Sequence, residues 1–203
     1  MDGVYRYQRY IYDLTRKYYL FGRDRLIDAL APRPGAHIVE IGCGTARNLI
    51  RMARRYPDAR LYGLDASEAM LETAAKAIRR AGLSQRIALA HGYAETLTPG
   101  MFARDGGFDE AVFSYSLSMI PDWKQALGAA TAALAAGGRV HIVDFGDLTG
   151  FARPLRRALL AWLALFHVAP RTELLGSLES APGEFQVLTG RYAFLFRGQP
   201  KAE

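Results

Sequence analysis

From residue 36 onward the chain alternates two patterns of apolar and polar positions. Short, nearly continuous apolar runs have the length and β-branched content of buried strands: AHIVEIG (36–42), ARLYGLD (59–65), RIALAHG (86–92), GFDEAVFSYS (107–116) and RVHIVDFG (139–146). Between them lie stretches in which apolar residues recur every three or four positions, the helical period: TARNLIRMARRY (45–56), SEAMLETAAKAIRRAG (67–82) and PDWKQALGAATAALAAGG (121–138). Ser67 stands where an N-cap is needed and Gly82 just past the helix end, while Pro121 and Gly138 bracket the third helix. Such alternation predicts an α/β fold, a parallel sheet flanked by helices. FQVLTGRYAFLFRG (185–198) reads as two further strands joined by a tight turn at Thr189-Gly190. The expected sheet therefore has seven strands, mostly parallel, and closes with an antiparallel hairpin. ESAPGE (179–184) reads as a loop.

Ahead of this pattern, YRYQRYIYDLTRKYYLFGR (5–23) places six tyrosines and five basic residues in nineteen positions. Wound as a helix, Tyr7, Ile11, Leu14, Tyr18 and Phe21 share a stripe about 80° wide that suits packing on a core. Tyr5, Tyr12 and Tyr19 fall on the other side, interleaved with Arg9, Arg16 and Arg23. A break at Gly22 would disturb that outer stripe. The expected organisation is a helical lid over 1–30 and a core domain over 31–203. Within that domain, 151–184 forms a basic and apolar insertion. RPLRRALLAWLALFHV (153–168) opens with Arg153, Arg156 and Arg157 and continues almost wholly apolar, as does a helix lying in a membrane interface or one covering a substrate.

Composition narrows the partners without choosing one. The net charge of +6 favours anionic partners: nucleic acid, phosphate-bearing molecules or anionic lipid. The single cysteine, Cys43, leaves no internal disulfide and fits a reducing cytoplasm. No secretory leader is expected, because the N-terminus is aromatic and charged where an apolar run is required. The longest apolar run, Ala158 to Phe166, falls far short of the ~20 residues that span a bilayer.

The chemistry lies in VEIGCGTARN (39–48). Gly42 and Gly44, between a strand and a helix, let a ligand lie against backbone and helix N-terminus. Asp65, ending the next strand about twenty residues on, can accept both hydroxyls of a ribose. A dinucleotide fingerprint would need glycine at 47, where the chain has Arg47. Glu40 instead sets a carboxylate where a cationic amino-acid group can be held. An E-x-G-x-G strand end followed by an acidic second-strand end resembles the class I S-adenosylmethionine-dependent methyltransferases, over roughly residues 36–146. That resemblance implies a Rossmann-like fold and S-adenosylmethionine as cofactor. It sets Gly42 and Gly44 under the methionine portion, Asp65 on the ribose, and Ala66 and Met70 about the adenine. Tyr93, Ala94 and Glu95 stand where the family contacts the adenine amino group. Ser114 and Tyr115 follow the fourth strand, where backbone carries the methionine ammonium and side chains face the acceptor. The sequence there, S-Y-S-L, lacks the prolines of amino-directed nucleic-acid methyltransferases, so no nucleic-acid partner is expected. No metal site is expected either.

Methyl transfer from a sulfonium mainly requires that a neutral nucleophile be aligned and water excluded. Tyrosine faces stabilise a quaternary ammonium product, and arginines hold an acid group on the same acceptor. A Tyr- and Arg-rich lid thus suits a zwitterionic head group. IYDLTRKYYLFGRDRLI (11–27) resembles the bacterial methyltransferases of betaine-lipid synthesis. This implies three N-methylations of diacylglycerylhomoserine to diacylglyceryl-N,N,N-trimethylhomoserine. It also implies a partner enzyme supplying that lipid and a peripheral position on the inner, cytoplasmic face of an anionic membrane. Tyr5, Arg9, Arg16, Arg23, Arg153 and Arg157 are the expected head-group residues. Tyr12, Tyr19, Tyr115 and Asp144 are candidates for proton removal, with His141 more simply read as a satisfied core histidine; His91 and His167 are weaker candidates. Three alternatives remain open: phosphatidylethanolamine N-methylation, quinone-type C-methylation, and a non-catalytic S-adenosylmethionine-binding regulatory subunit.

Overall fold

A computed structural model describes residues 20–165, 168 and 170–200. The strands are β1 (His37–Ile41), β2 (Arg60–Asp65), β3 (Ile87–His91), β4 (Phe108–Ser114), β5 (Leu134–Phe145), β6 (Gly183–Leu188) and β7 (Ala193–Gly198). The helices are α1 (Arg23–Ala29), α2 (Arg47–Arg55), α3 (Glu68–Arg80), α4 (Trp123–Ala132), α5 (Arg153–Ala164) and α6 (Thr172–Glu179). One sheet takes the order β3-β2-β1-β4-β5-β7-β6. β1 to β5 pair in parallel, whereas β7 runs antiparallel to both β5 and β6. This is the expected Rossmann-like class I methyltransferase fold.

Alternation along the strands divides the core into two layers. Ile38, Leu61, Val112 and Val143 point to one face, which α1, α2, α3 and α5 cover through Leu26, Leu49, Ile78 and Leu163. Val39, Leu64, Phe113 and Ile142 point to the other, covered by α4 and α6 through Trp123, Leu127, Leu174 and Leu178. Both faces of the parallel strands are thereby buried, which is why those strands read as continuous apolar runs.

Three boundaries differ from expectation. α4 stops at Ala132 and is capped by the Asp122 side chain, which accepts from the Gln125 N–H. The alanines and glycines that follow, read as the helix end, begin β5 instead; Leu134 pairs with Phe108 and, after a register shift, Arg139 with Glu110. Helix α6 was not expected, and β6 starts at Gly183 inside the stretch read as a loop. At the other end, α1 begins only at Arg23, behind Gly22 in a left-handed conformation (φ 86°). Arg23 therefore opens a new helix and does not continue one running from residue 5. Residues 1–19 lie outside the described residues, and with them Tyr5, Arg9, Tyr12, Arg16 and Tyr19. Of the described part of that segment, Leu26 and Ile27 are buried, and α1 packs on α2 and β5.

Candidate active site

A cavity of about 700 Å³ opens at the carboxyl ends of the parallel strands, where open α/β sheets bind ligands. Its floor is the turn after β1. The N–H groups of Gly42 and Cys43 both donate to Leu64 O at the end of β2 (2.8 and 3.0 Å), which swings the chain across the strand ends. Gly42 holds φ 75°, and a Cβ there would lie 2.6 Å from that of Ser116. Gly44 holds φ 53° and faces open space. The first glycine thus permits close packing against the β4 loop, and the second leaves the floor bare for a ligand.

Two carboxylates stand at this floor. Asp65 accepts the N–H of Gly44 on Oδ2 (2.7 Å) and of Ser67 on Oδ1 (2.9 Å). It ties the β1 turn to the head of α3, where the Ser67 hydroxyl accepts the N–H of Met70. Each oxygen keeps a further lone pair for a ligand hydroxyl. Glu40, 2% exposed, accepts from Asn48 Nδ2 on Oε1 at 2.7 Å. Its Oε2 is buried without a hydrogen-bond partner. Burial pushes the Glu40 carboxyl up to about 8, against the Asn48 hydrogen bond and the Arg23 charge. An orphaned carboxylate oxygen beside a bare glycine turn is what a cationic ligand would complete. S-adenosylmethionine fits these donors and acceptors: Glu40 at its ammonium, Gly42 and Gly44 beneath the methionine portion, Asp65 at the ribose.

The remaining expected cofactor residues gather around the same cavity. Ala66 and Met70 line it from the start of α3, and Tyr93, Ala94 and Glu95 from the 3₁₀ turn after β3. Ser114 lines it from the end of β4. Several lining residues were not expected: Asn48, Ser116, whose hydroxyl donates to Ile41 O, and the apolar group Leu20, Met119, Ile120 and Pro121. The asparagine carried a signal, since Asn48 is one helical turn past Gly44 and faces back to β1.

The expected catalytic residues fare differently. Tyr115 reaches the cavity in a left-handed conformation (φ 57°), but its hydroxyl donates to Phe21 O and its ring packs edge-on against Phe145. Burial pushes its pKa far up, and through its bond to Phe21 O it anchors the incoming chain. Asp144 does not line the cavity. It is buried behind the β4 loop, where it accepts the N–H groups of Ser118 (3.0 Å) and Phe145 (2.7 Å). Burial raises it to about 6, and its role is to hold that loop. His141 is also remote: buried in the sheet, with Nε2 2.6 Å from Glu110 Oε2, it is a satisfied core histidine. His91 Nε2 lies 3.0 Å from Ala66 O, and His167 falls outside the described residues. Of the expected head-group residues, Arg23 lines the cavity beside Glu40, whereas Arg153 and Arg157 sit on α5 away from it. Arg47, at the position that excluded a dinucleotide, bonds Asn48 Oδ1 and pairs with Asp24 of α1.

Fold and site together have the arrangement of the class I, S-adenosylmethionine-dependent methyltransferases. Residues 38–138 match the family described as "Methyltransferase domain". It is 31% identical over 123 residues to the "Ubiquinone/menaquinone biosynthesis C-methyltransferase UbiE" of Paracoccus denitrificans, a match covering 61% of this chain and 48% of that one. It is 27% identical over 139 residues to the "Demethylmenaquinone methyltransferase" of Thermus thermophilus, covering 66% and 60%. The chain thus spans about half the length of the curated relatives it matches. Among solved structures, an S-adenosylmethionine-dependent methyltransferase from Aquifex aeolicus superposes with a TM-score of 0.66 at 15% identity, covering 92% of this chain and 93% of that one. The geranyl diphosphate C-methyltransferase of Streptomyces coelicolor, bound to S-adenosyl-L-homocysteine, gives 0.70 at 15% identity, covering 88% and 78%. These structural likenesses speak to the fold.

Proposed function

We propose that this protein methylates the amine of a lipid head group, with diacylglycerylhomoserine as acceptor and diacylglyceryl-N,N,N-trimethylhomoserine as product. The observation that carries the reading is the character of the cavity lining. Arg23 lines it together with Leu20, Met119, Ile120 and Pro121, and among the described lining residues no histidine is present. Asp65 is held by two backbone N–H groups, and the Tyr115 hydroxyl is spent on Phe21 O. An amine can lose its proton to water and then presents its own lone pair. A ring carbon needs a neighbouring hydroxyl ionised by the protein. A guanidinium beside apolar walls suits an acceptor carrying both an acid and acyl chains. Phosphatidylethanolamine, with a phosphate in place of the carboxylate, is the nearest alternative acceptor.

A second reading, C-methylation of a quinone precursor, is favoured by the names of the relatives. The family match, however, covers residues 38–138. It leaves out the Tyr- and Arg-rich N-terminal run, which carries the expected head-group residues Tyr5, Arg9 and Arg16. The test supplies labelled S-adenosylmethionine and, in separate reactions, diacylglycerylhomoserine, phosphatidylethanolamine and demethylmenaquinone, with products read by mass spectrometry. Mono-, di- and trimethylated homoserine lipid is the expected result. Label in the quinone alone would overturn the proposal, and label in phosphatidylethanolamine alone would reassign the acceptor.

A further inference from the structure

Arg47 stands where a dinucleotide fingerprint would have glycine, at the start of α2 and on the cavity wall. Its guanidinium divides between two acceptors: Nη1 donates to Asn48 Oδ1 (3.0 Å) and Nη2 to Asp24 Oδ1 of α1 (3.1 Å). Asp24 also pairs with Arg51 of α2 (3.3 Å), so the outer end of this contact is itself held. Asn48 in turn is buried and donates from Nδ2 to Glu40 Oε1 at 2.7 Å. Asp24, Arg47, Asn48 and Glu40 thus form one line of hydrogen bonds from the surface of α1 to the cavity floor.

That line fixes which way round the Asn48 amide faces. An amide has one donor end and one acceptor end. Turned over, it would set its oxygen against the Glu40 carboxylate and its NH2 group against the guanidinium, two mismatched contacts. The turned amide suits only a protonated Glu40 and an absent Arg47. In the observed orientation the NH2 group donates to Glu40, which favours the ionised carboxylate. The other charged and titratable groups that act on Glu40 are Arg23 of α1, which favours its ionised form, Asp65 of β2, which opposes it, and the buried Cys43 thiol of the β1 turn.

We propose that Arg47 is a positioning residue for the methyl donor: it locks the Asn48 amide with its NH2 group toward Glu40 and so keeps the carboxylate ready for the cofactor ammonium. This rests on S-adenosylmethionine as the ligand of the cavity and is independent of the acceptor. Without Arg47 the amide can turn over and accept from a protonated Glu40, whose carboxyl burial already raises to about 8. The loss of affinity is then greatest near neutral pH and fades where Glu40 ionises in any case.

The test is calorimetric titration of the full chain with S-adenosyl-L-homocysteine, the product of methyl transfer, which keeps the same ammonium. The ratio of parent to variant affinity at each pH cancels the ligand's own titration. Arg47→Met should lower affinity about tenfold near pH 7 and only about twofold near pH 9. Asp24→Ala, which removes the outer support, should give a loss of the same pH dependence, about twofold near pH 7. Added to Asn48→Ala, Arg47→Met should cost less than about threefold near pH 7, because the amide it positions is gone. A ratio for Arg47→Met that stays constant with pH would overturn the proposal. So would a further loss of about tenfold in the Asn48→Ala background, since Arg47 would then hold the ligand directly. Should Asn48→Ala fail to fold, the pH dependence of the Arg47 and Asp24 variants decides. A parent chain that takes up no S-adenosyl-L-homocysteine would overturn the cofactor assignment itself, and this proposal with it.

Discussion

Glu40 and Asn48 form a one-sided pair: the amide holds one carboxylate oxygen at 2.7 Å and leaves the other buried and unmatched at the cavity floor. Burial raises the carboxyl to about 8, so below that pH the group is mostly protonated in the folded protein. A carboxyl raised above its unfolded value of about 4.3 binds more protons folded than unfolded. It therefore lowers stability progressively as pH rises from about 4.3 toward 8. A cationic ligand favours the ionised form, so cofactor affinity should increase with pH through the same upper range and binding should release a proton. Calorimetry in buffers of different ionisation enthalpy reads that proton directly. Glu40→Gln should weaken binding by about tenfold or more and abolish the release; unchanged release would place the proton elsewhere.

The two floor glycines should separate folding from binding. Gly42→Ala meets Ser116 at 2.6 Å in a left-handed conformation, so we expect a loss of more than about 2 kcal/mol in denaturant unfolding. Gly44→Ala meets nothing within 4 Å and should cost only about 1 kcal/mol. Its methyl group projects into the cavity, and its effect should appear as a cofactor affinity lowered roughly tenfold. Equal effects of both changes on affinity and stability would show that the floor is not the contact surface.

Tyr115→Phe removes the hydroxyl that donates to Phe21 O and keeps the ring against Phe145. The expected loss is about 1 kcal/mol. Faster hydrogen exchange should be confined to the start of α1, where Leu26 N donates to Gly22 O. Because Leu20 and Arg23 flank that anchor and line the cavity, cofactor affinity should fall with it. If Tyr115 were instead a base, turnover would collapse while exchange stayed as in the parent.

In the sheet, His141 and Glu110 form a buried pair that Arg139 joins from the surface. Burial lowers the His141 pKa despite the Glu110 contact. Burial raises that of Glu110, but the hydrogen bonds from His141 and Arg139 outweigh it and the net shift is downward. Both groups bind fewer protons folded than unfolded, so their contribution to stability is lost as pH falls: first below the ordinary histidine value of about 6.5, then through the carboxylate range. His141→Gln should flatten the upper part of that fall in a series of melting curves against pH, with methyl transfer retained. Loss of transfer without loss of stability would assign His141 a role in the site.

The elements that announced themselves in the sequence are those whose signal is local. Glu40, Gly42, Gly44 and Asp65 sit on strand ends and a tight turn, and each lies where the pattern put it. The boundary between α4 and β5 was hidden because Ala132 to Gly138 is compatible with a helix end; only pairing of Leu134 with Phe108 makes it a strand. Helix α6 is short and carries Gly176 in its middle, and it exists because Leu174, Leu175 and Leu178 find α4. Tyr115 and Phe21, 94 residues apart, meet only once the sheet is formed, so the hydroxyl that looked like chemistry proves to be an anchor. Leu20, Met119, Ile120 and Pro121 share a cavity for the same reason.

The placement of β7 between β5 and β6 also has a consequence for how the molecule is made. β5 pairs with β4 on one side, and among the described residues its other side is paired only with residues 193–198. Until those residues leave the ribosome, β5, with Val140, Ile142 and Val143 along it, remains a bare edge able to recruit strands from other chains. A chain cut short before Ala193 would therefore be prone to aggregate, even with every residue of the cofactor cavity already in place.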